Sequence, residues 1–584
     1  VPLYWQIFAL VIRFILGISA WWMFKQIWPE RPRTALIASL FILIFPGYSQ
    51  HWVALTHINQ ELIPFIFYLL SIGFTFKSIR SEKPIPFTFM ALLLQLCSIF
   101  PTEYFFGMEA LRFLFLFIHF QGNLSERVTK TLKIWWPYLL IWILNAIWLI
   151  YYYKFGPYTS YEVTLTQSIN GTTVLLGVLD ALWKAGFYIW VQILTLTFTS
   201  LPAPASLLTL GLIALSFIFF TPYLKNVMPG DHHKDKTFSI SLVIIGVIGI
   251  LIGRLPSFAA GLPLTLQSSY DRFMISMMIG GSLFLLGLIE LIFTDNHVKT
   301  YIFALIIALG IGQQFFNANI FRRDWEKQKE IYWQMTWRIP ALKPNTVLLT
   351  DQMPIDYETD LSFTAPINWI YAPNYTRGNL PYILLYTEKR LGGPTLPSFE
   401  PDIKITYPYR TVTFSSSTSQ ALVIYMPRNG CLRILDPARG DMEIYARLPD
   451  ILTKAIPLSD PSRIITSTNS PARPMFFAEP KHEWCYYFTN AELARQTGDL
   501  QKVVSFGNEA ISLGYHPQDQ NEWLVFIEAY ALTGNIQKAK ELSALALTED
   551  ARLHRSICTV WEGMRSTIGN DKTDEIQTSN NCDQ

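Results

Sequence analysis

Up to about residue 318 this chain is a succession of apolar runs, each close to the length of a membrane-crossing helix. A bilayer core of roughly 30 Å takes about 20 apolar residues of helix to cross. Runs of that kind lie at about 4–24, 35–52, 60–77, 85–101, 104–120 and 134–153, and again near 205–223, 238–255, 272–294 and 300–317. Charged residues make up only 15% of the chain, against roughly 25% in soluble domains, and past residue 318 they return to ordinary density. The expected fold class is therefore mostly α. A polytopic transmembrane helix bundle of about ten spans (1–318) is followed by a soluble α+β region and a short helical repeat.

Loop charge gives an orientation. Lys25, Arg31 and Arg33 follow the first run, Lys77, Arg80 and Lys83 the third, and Arg127, Lys130 and Lys133 the fifth. The intervening connections, around 51–60 and 101–102, carry no Lys or Arg. The positive-inside rule then puts the basic loops in the cytoplasm, in a plasma-membrane setting, and Val1 outside. Residues 174–200 leave two arrangements open, because Asp180 and Lys184 interrupt an otherwise apolar run. If this segment crosses once, the basic stretch 225–236 falls outside. If it is re-entrant or lies along the interface, that stretch and Lys299 return to the cytoplasm, and the soluble region becomes extracytoplasmic. The second arrangement keeps the rule. The chain opens at Val1 within an apolar run that has no charged n-region, so no signal peptide is visible; a start on Val points to a missing N-terminus.

Residues 319–340 read as an amphipathic linker helix, with Trp325, Trp333 and Trp337 among charges. These rings suit a membrane surface, the face of the next domain, or its core. Short β-like runs at 347–351, 368–371, 382–386, 411–415, 421–425 and 431–435, punctuated by Pro, Gly and Asn, predict an α+β domain over 341–475. Residues 476–553 are helical with a period of 36, Gly498-Asp499 recurring as Gly534-Asn535. The second unit, with Trp523, Phe526, Ile527, Tyr530, Gly534, Ala539 and Ala546, resembles a tetratricopeptide repeat, which implies a possible protein partner. Two units are fewer than a free-standing solenoid needs, so a cap packed on the α+β domain is expected. The tail, 554–584, is polar.

Ionisable groups in or near lipid mark sites or pairings. Glu109 and Arg112, one helical turn apart, read as an internal ion pair. Glu61 and Glu103 have no local partner and lie near the predicted outer interface, where a solvated helix end is the plainer explanation. His51 and His57 are six apart, which fits no helical metal-ligand pattern, and the five cysteines include no CxxC, so no metal site is expected. Tyr270, Asp271 and Arg272 open the run at 272–294, where Arg272 could grip a lipid phosphate or merely anchor the helix end. A net charge of +2 argues against a nucleic-acid partner. Cys431 and Cys485 are candidates for a disulfide if the soluble region is extracytoplasmic, with Cys558 as the competing partner.

The many-span plan with an extracytoplasmic soluble domain resembles the GT-C class of glycosyltransferases, of the protein O-mannosyltransferase and aminoarabinose-transferase kind. The segment ELIPFIFYLLSIGFTFKSIR, opening on Glu61, is similar to that family's acidic opening of a long apolar helix ending in basic residues. Arg272-Phe273 resembles its later Arg-aromatic pair, and Glu103 its loop acid. The resemblance covers about 1–340. It implies transfer of a sugar from a polyprenyl-phosphate donor outside the membrane, with Glu61 and Glu103 catalytic and His51, His57, Tyr270 and Arg272 binding substrate. The family's principal acid lies in a first outer loop that would here precede Val1. The alternative is a non-catalytic membrane anchor that presents the repeat-like module. No cofactor can be read from the sequence.

Overall fold

A computed structural model describes the chain apart from residues 1, 54–56, 156–170, 200, 228–235, 268, 356–357, 377, 410–411, 446, 468–470, 571–572, 575–576, 578–581 and 583–584. Most of the basic stretch 225–236 and part of the tail thus lie outside the described residues. The chain divides into two compact units, Val1–Arg322 and Arg323–Gln584.

The first unit is helical. Among the described residues, eight helices are long and apolar enough to cross a membrane, or nine if a bent pair counts as one span. This is fewer than the ten expected, for reasons that lie in the loops. The run at 35–52 forms only the 12-residue helix Pro32–Leu43, because Pro46-Gly47 cannot continue it. The runs at 85–101 and 104–120 become Pro84–Ile99 and Glu103–His119, bent by 119° where Pro101-Thr102 interrupts them. Tight packing sets the centre of the bundle. The helices Lys236–Ala259 and Met278–Ile292 approach so closely that a side chain at Gly246 or Gly280 would strike the other helix's backbone, a contact only small residues permit.

Contacts define the unit's two ends. At one, Trp28 packs edge-on against Phe115 and Phe238, Arg31 lies over the Phe238 ring at 3.9 Å, Arg80 reaches the Ile27 carbonyl, and Arg127 donates to the Phe117 carbonyl at 2.8 Å. The basic loops therefore gather at one end. At the other, three short turns meet: Gln50–Trp52, Glu103–Phe105 and Ser269–Met277. The segment Gly171–Thr199 is long enough to cross, with a widened turn at Trp183–Tyr188. Its contacts with Phe258, the Leu264 carbonyl (2.6 Å from Lys184) and Gly47 nevertheless hold residues 177–189 toward the polar end. Asp180 and Lys184 pair at 2.7 Å.

The second unit begins within the 43-residue helix Asn296–Arg338. The strands are β1 (Thr346–Thr350), β2 (Asn379–Leu380), β3 (Tyr382–Tyr386), β4 (Lys404–Tyr409), β5 (Val412–Ser417), β6 (Ala421–Tyr425) and β7 (Arg433–Ile434). They form a sheet in the order β3-β1-β6-β7, parallel except for β7, and a second sheet in the order β2-β5-β4. One expected strand is corrected. Residues 368–371 belong to the helix Asp360–Tyr371, started by Thr359, whose hydroxyl caps Ser362 N–H. Asn368 shows why: its side chain donates to the Tyr382 carbonyl and accepts from the Tyr382 N–H, tying the helix to β3. The linker tryptophans divide: Trp333 is buried, Trp337 donates to Glu479, and Trp325 stays 44% exposed.

Residues 484–549 form two helical hairpins, Trp484–Gln496 with Leu500–Ser512 and Leu524–Leu532 with Ile536–Glu549. Gly498 and Gly534 end the first helix of each at φ +79° and +93°, and Asp499 and Asn535 cap the next. A buried ionic network clips the hairpins to the sheet region. Arg433 pairs with Asp519 and lies 3.3 Å from Glu522; Arg439 bonds Glu492 at 3.2 Å and Glu528 at 2.9 Å. Cys431 and Cys485 form a disulfide across the same seam, with Cα atoms 5.3 Å apart, while Cys558 pairs with Cys582.

Candidate functional site

The polar end of the first unit is built from turns rather than long helices. After Pro46-Gly47 stops its helix, the chain carries Tyr48, Ser49, Gln50 and His51 inward, all buried. It re-enters helix through a widened turn, Ile58–Leu62, so that His57 and Glu61 face each other four residues apart. His57 Nδ1 lies 2.6 Å from Glu61 Oε1, and the Tyr48 hydroxyl donates to Glu61 Oε2 at 2.7 Å. Asp271, carried by the turn Ser269–Met277, accepts from Gln50 Nε2 at 2.9 Å and from Ser49. Two buried carboxylates, close enough to feel each other's charge, thus share one polar cluster. Burying such charges is costly unless donors surround them.

Cations reach the same cluster. Arg13, on the first helix, lies within electrostatic range of Tyr48 and His51. Arg272 sits over the Phe273 ring at 5.2 Å, and its buried Nε has no hydrogen-bond partner among the described residues. Both ring nitrogens of His51 are likewise buried and unpartnered there, although the ring packs edge-on against Tyr48 at 4.7 Å. Buried polar atoms are ordinarily satisfied, so these are the atoms with bonding capacity to spare. The Glu109–Arg112 pair is different. Arg112 donates to Glu109, Thr75 and Ser71, Glu109 also accepts from Trp135, and Tyr138 covers the guanidinium at 4.2 Å. That pair is satisfied and structural.

The expected site residues therefore fall into groups. Glu61, His57 and His51 come together around Tyr48, and Arg272 follows directly on Asp271. Glu103 is half-buried, and its side chain makes no hydrogen bond or ion pair among the described residues; its neighbour Tyr104 packs edge-on against Phe273 at 5.4 Å. Tyr270 is 38% exposed. Sequence reasoning missed Arg13, Tyr48 and Gln50, and gave Asp271 no role. Arg13 carried the clearest signal, as a lone charge in the middle of the first apolar run. Among the described residues no group of three or more His, Cys, Asp or Glu side chains could hold a metal ion. No protein family, curated protein or solved structure matches this chain. The chain is a membrane-embedded polytopic protein with a mainly helical fold and a small α+β region.

Proposed function

We propose that this protein transfers a sugar from a polyprenyl-phosphate donor to an acceptor hydroxyl at the extracytoplasmic face of the plasma membrane. The observation that carries the reading is the buried cluster of Glu61, His57, Tyr48 and Asp271 beside Arg13 and Arg272, the latter with an unused Nε donor. Glu61, oriented by His57 and Tyr48, accepts the acceptor's proton as general base. Arg272 takes two oxygens of the departing lipid phosphate through its planar fork, and Arg13 adds positive charge to the cluster. The similarity of Glu61, Glu103 and Arg272 to GT-C positions supports the same chemistry. Two disulfides in the second unit and the clustering of basic loops at the opposite end of the first favour an extracytoplasmic site and second unit.

Activity tests the chemistry. In proteoliposomes supplied with a radiolabelled polyprenyl-phosphate sugar, Arg272→Ala should slow turnover about 30- to 150-fold, the loss of a charge-assisted hydrogen bond of roughly 2–3 kcal/mol. Arg272→Lys keeps the charge but not the fork, and should lose less. Glu61→Gln should abolish transfer with the fold intact. If the wild-type chain transfers sugar and both Arg272→Ala and Glu61→Gln match it, the mechanism is wrong. A folded wild-type chain without transfer would favour an anchor presenting its tetratricopeptide-like hairpins to a protein partner.

Orientation has its own test. In a Cys97→Ser background, an impermeant thiol reagent added outside intact cells should label Glu400→Cys and miss Arg80→Cys. The reverse pattern would overturn the assignment.

A further inference from the structure

The surface of the second unit carries an exposed apolar patch. Met475 is 77% exposed, Trp369 65%, Trp325 44% and Phe476 38%. They form one surface: Trp369 packs against Phe476 (6.2 Å between ring centres), Phe476 against Phe477 (5.1 Å), and Phe477 against Trp325 (4.8 Å). Side chains this large seldom lie together in water without something that covers them.

The sequence beneath Trp325 says what covers them. Residues 300–321 carry no Asp, Glu, Lys or Arg, and at 1.5 Å per residue this stretch spans roughly 33 Å, the thickness of a bilayer core. Arg322 and Arg323 follow, both exposed, and Trp325 stands one turn beyond the first of them. That is headgroup depth, where tryptophan is enriched because its ring favours apolar contact and its N–H favours water. Arg473, exposed two residues before Met475, adds a third cation to the rim. On the same helical stretch Glu326 pairs with Lys329 and Glu330 with Lys327, and Asp324 offsets one of the three arginines, so the rim keeps a net positive charge.

We propose that this aromatic patch is a lipid-binding surface, with Trp325, Trp369, Met475 and Phe476 inserted at headgroup level and Arg323 and Arg473 on lipid phosphates. This rests on membrane embedding and not on the transferase reading. It does not need a protein partner.

The unaltered full chain in nanodiscs of phosphatidylcholine and phosphatidylglycerol provides the first test. Met475 is more exposed than Met442, which is 43% exposed, so in water it should be oxidised faster by a dilute soluble peroxide. Covered by lipid, it should react at least about fivefold more slowly than Met442. Oxidation of Met475 at the rate of Met442 or faster would overturn the proposal. A second measurement separates lipid from protein cover. A fluorophore on Met475→Cys, in the Cys97→Ser background, should be quenched by a lipid-borne doxyl group at least about threefold more than one on Leu513→Cys, a site 55% exposed. Equal quenching at the two sites would also overturn it.

Discussion

Replacing both Cys431 and Cys485 by Ser should raise amide exchange in the helix Trp484–Gln496 by up to roughly a thousandfold, at a cost near 4 kcal/mol. The bridge closes a separation of 54 residues, and on the chain-entropy account a loop of that size removes about 4 kcal/mol of disorder from the unfolded chain. It also joins the two halves of the second unit, since Cys431 lies two residues before β7 and Cys485 sits in the first turn of the first hairpin. Local geometry should survive the change. Cys431 N–H donates to Glu522 at 2.6 Å, and Cys431 Sγ lies 3.2 Å from the other carboxylate oxygen, where a serine hydroxyl could donate as well. The loss should therefore be one of linkage more than of packing. Exchange measured on the full chain suits the question, because a chain of two units need not unfold in one step. A change of less than about threefold would mean that the ionic network holds the seam without the bridge.

What the sequence disclosed, and what it withheld, follows the range of the interactions concerned. The membrane spans are properties of 20-residue windows, and they were legible wherever a window held no strong breaker. They misled at 35–52, where average apolarity hid Pro46-Gly47, and at 101–102, where one interruption bends the chain by 119°. The strands at 347–351, 382–386 and 421–425 were legible as short Val, Leu and Ile runs, and they form the buried parallel part of the larger sheet. Residues 368–371 look equally β-like, but a cap nine residues upstream and a side-chain bond to β3 make them helical. Within the site, Glu61 and Arg272 stood out because isolated charges near lipid are conspicuous. Tyr48 and Gln50 are unremarkable in sequence and matter only because the fold brings Glu61 and Asp271 to them, the latter across 221 positions. The seam between sheet and hairpins was equally hidden, since its ionic pairs join positions 53 to 89 residues apart.

That seam should also give the second unit an unusual pH dependence. Burial pushes the Glu522 carboxyl up to about 7 despite Arg433, and the Asp441 carboxyl up to about 6 despite Arg439. Burial acts the same way on Glu492, but Arg495, Arg439 and Arg338 outweigh it and hold that group at about 2. A raised carboxyl keeps a proton in the folded state that the unfolded chain gives up, so its contribution falls as pH rises from about 4.5 to 7. A depressed one stabilises above about 4.5, and that contribution is lost as pH drops toward 2. The unit should thus resist opening best near pH 4–5, with Glu522 alone accounting for roughly 3 kcal/mol of the decline toward pH 7. Glu522→Gln should flatten that decline. Arg433→Met should have the larger effect, because it strips the buried cation from Asp519 and leaves that carboxylate without a counter-charge, at roughly 3–5 kcal/mol. Glu522 already holds its proton at pH 5 and keeps much of it to pH 7, so the same substitution should cost nearly the same at the two. Amide exchange around residues 431–435 and 519–523 would read both effects. An Arg433→Met cost larger at pH 7 than at pH 5 by more than about 1 kcal/mol would show that Glu522 is ionised in the folded unit at pH 7.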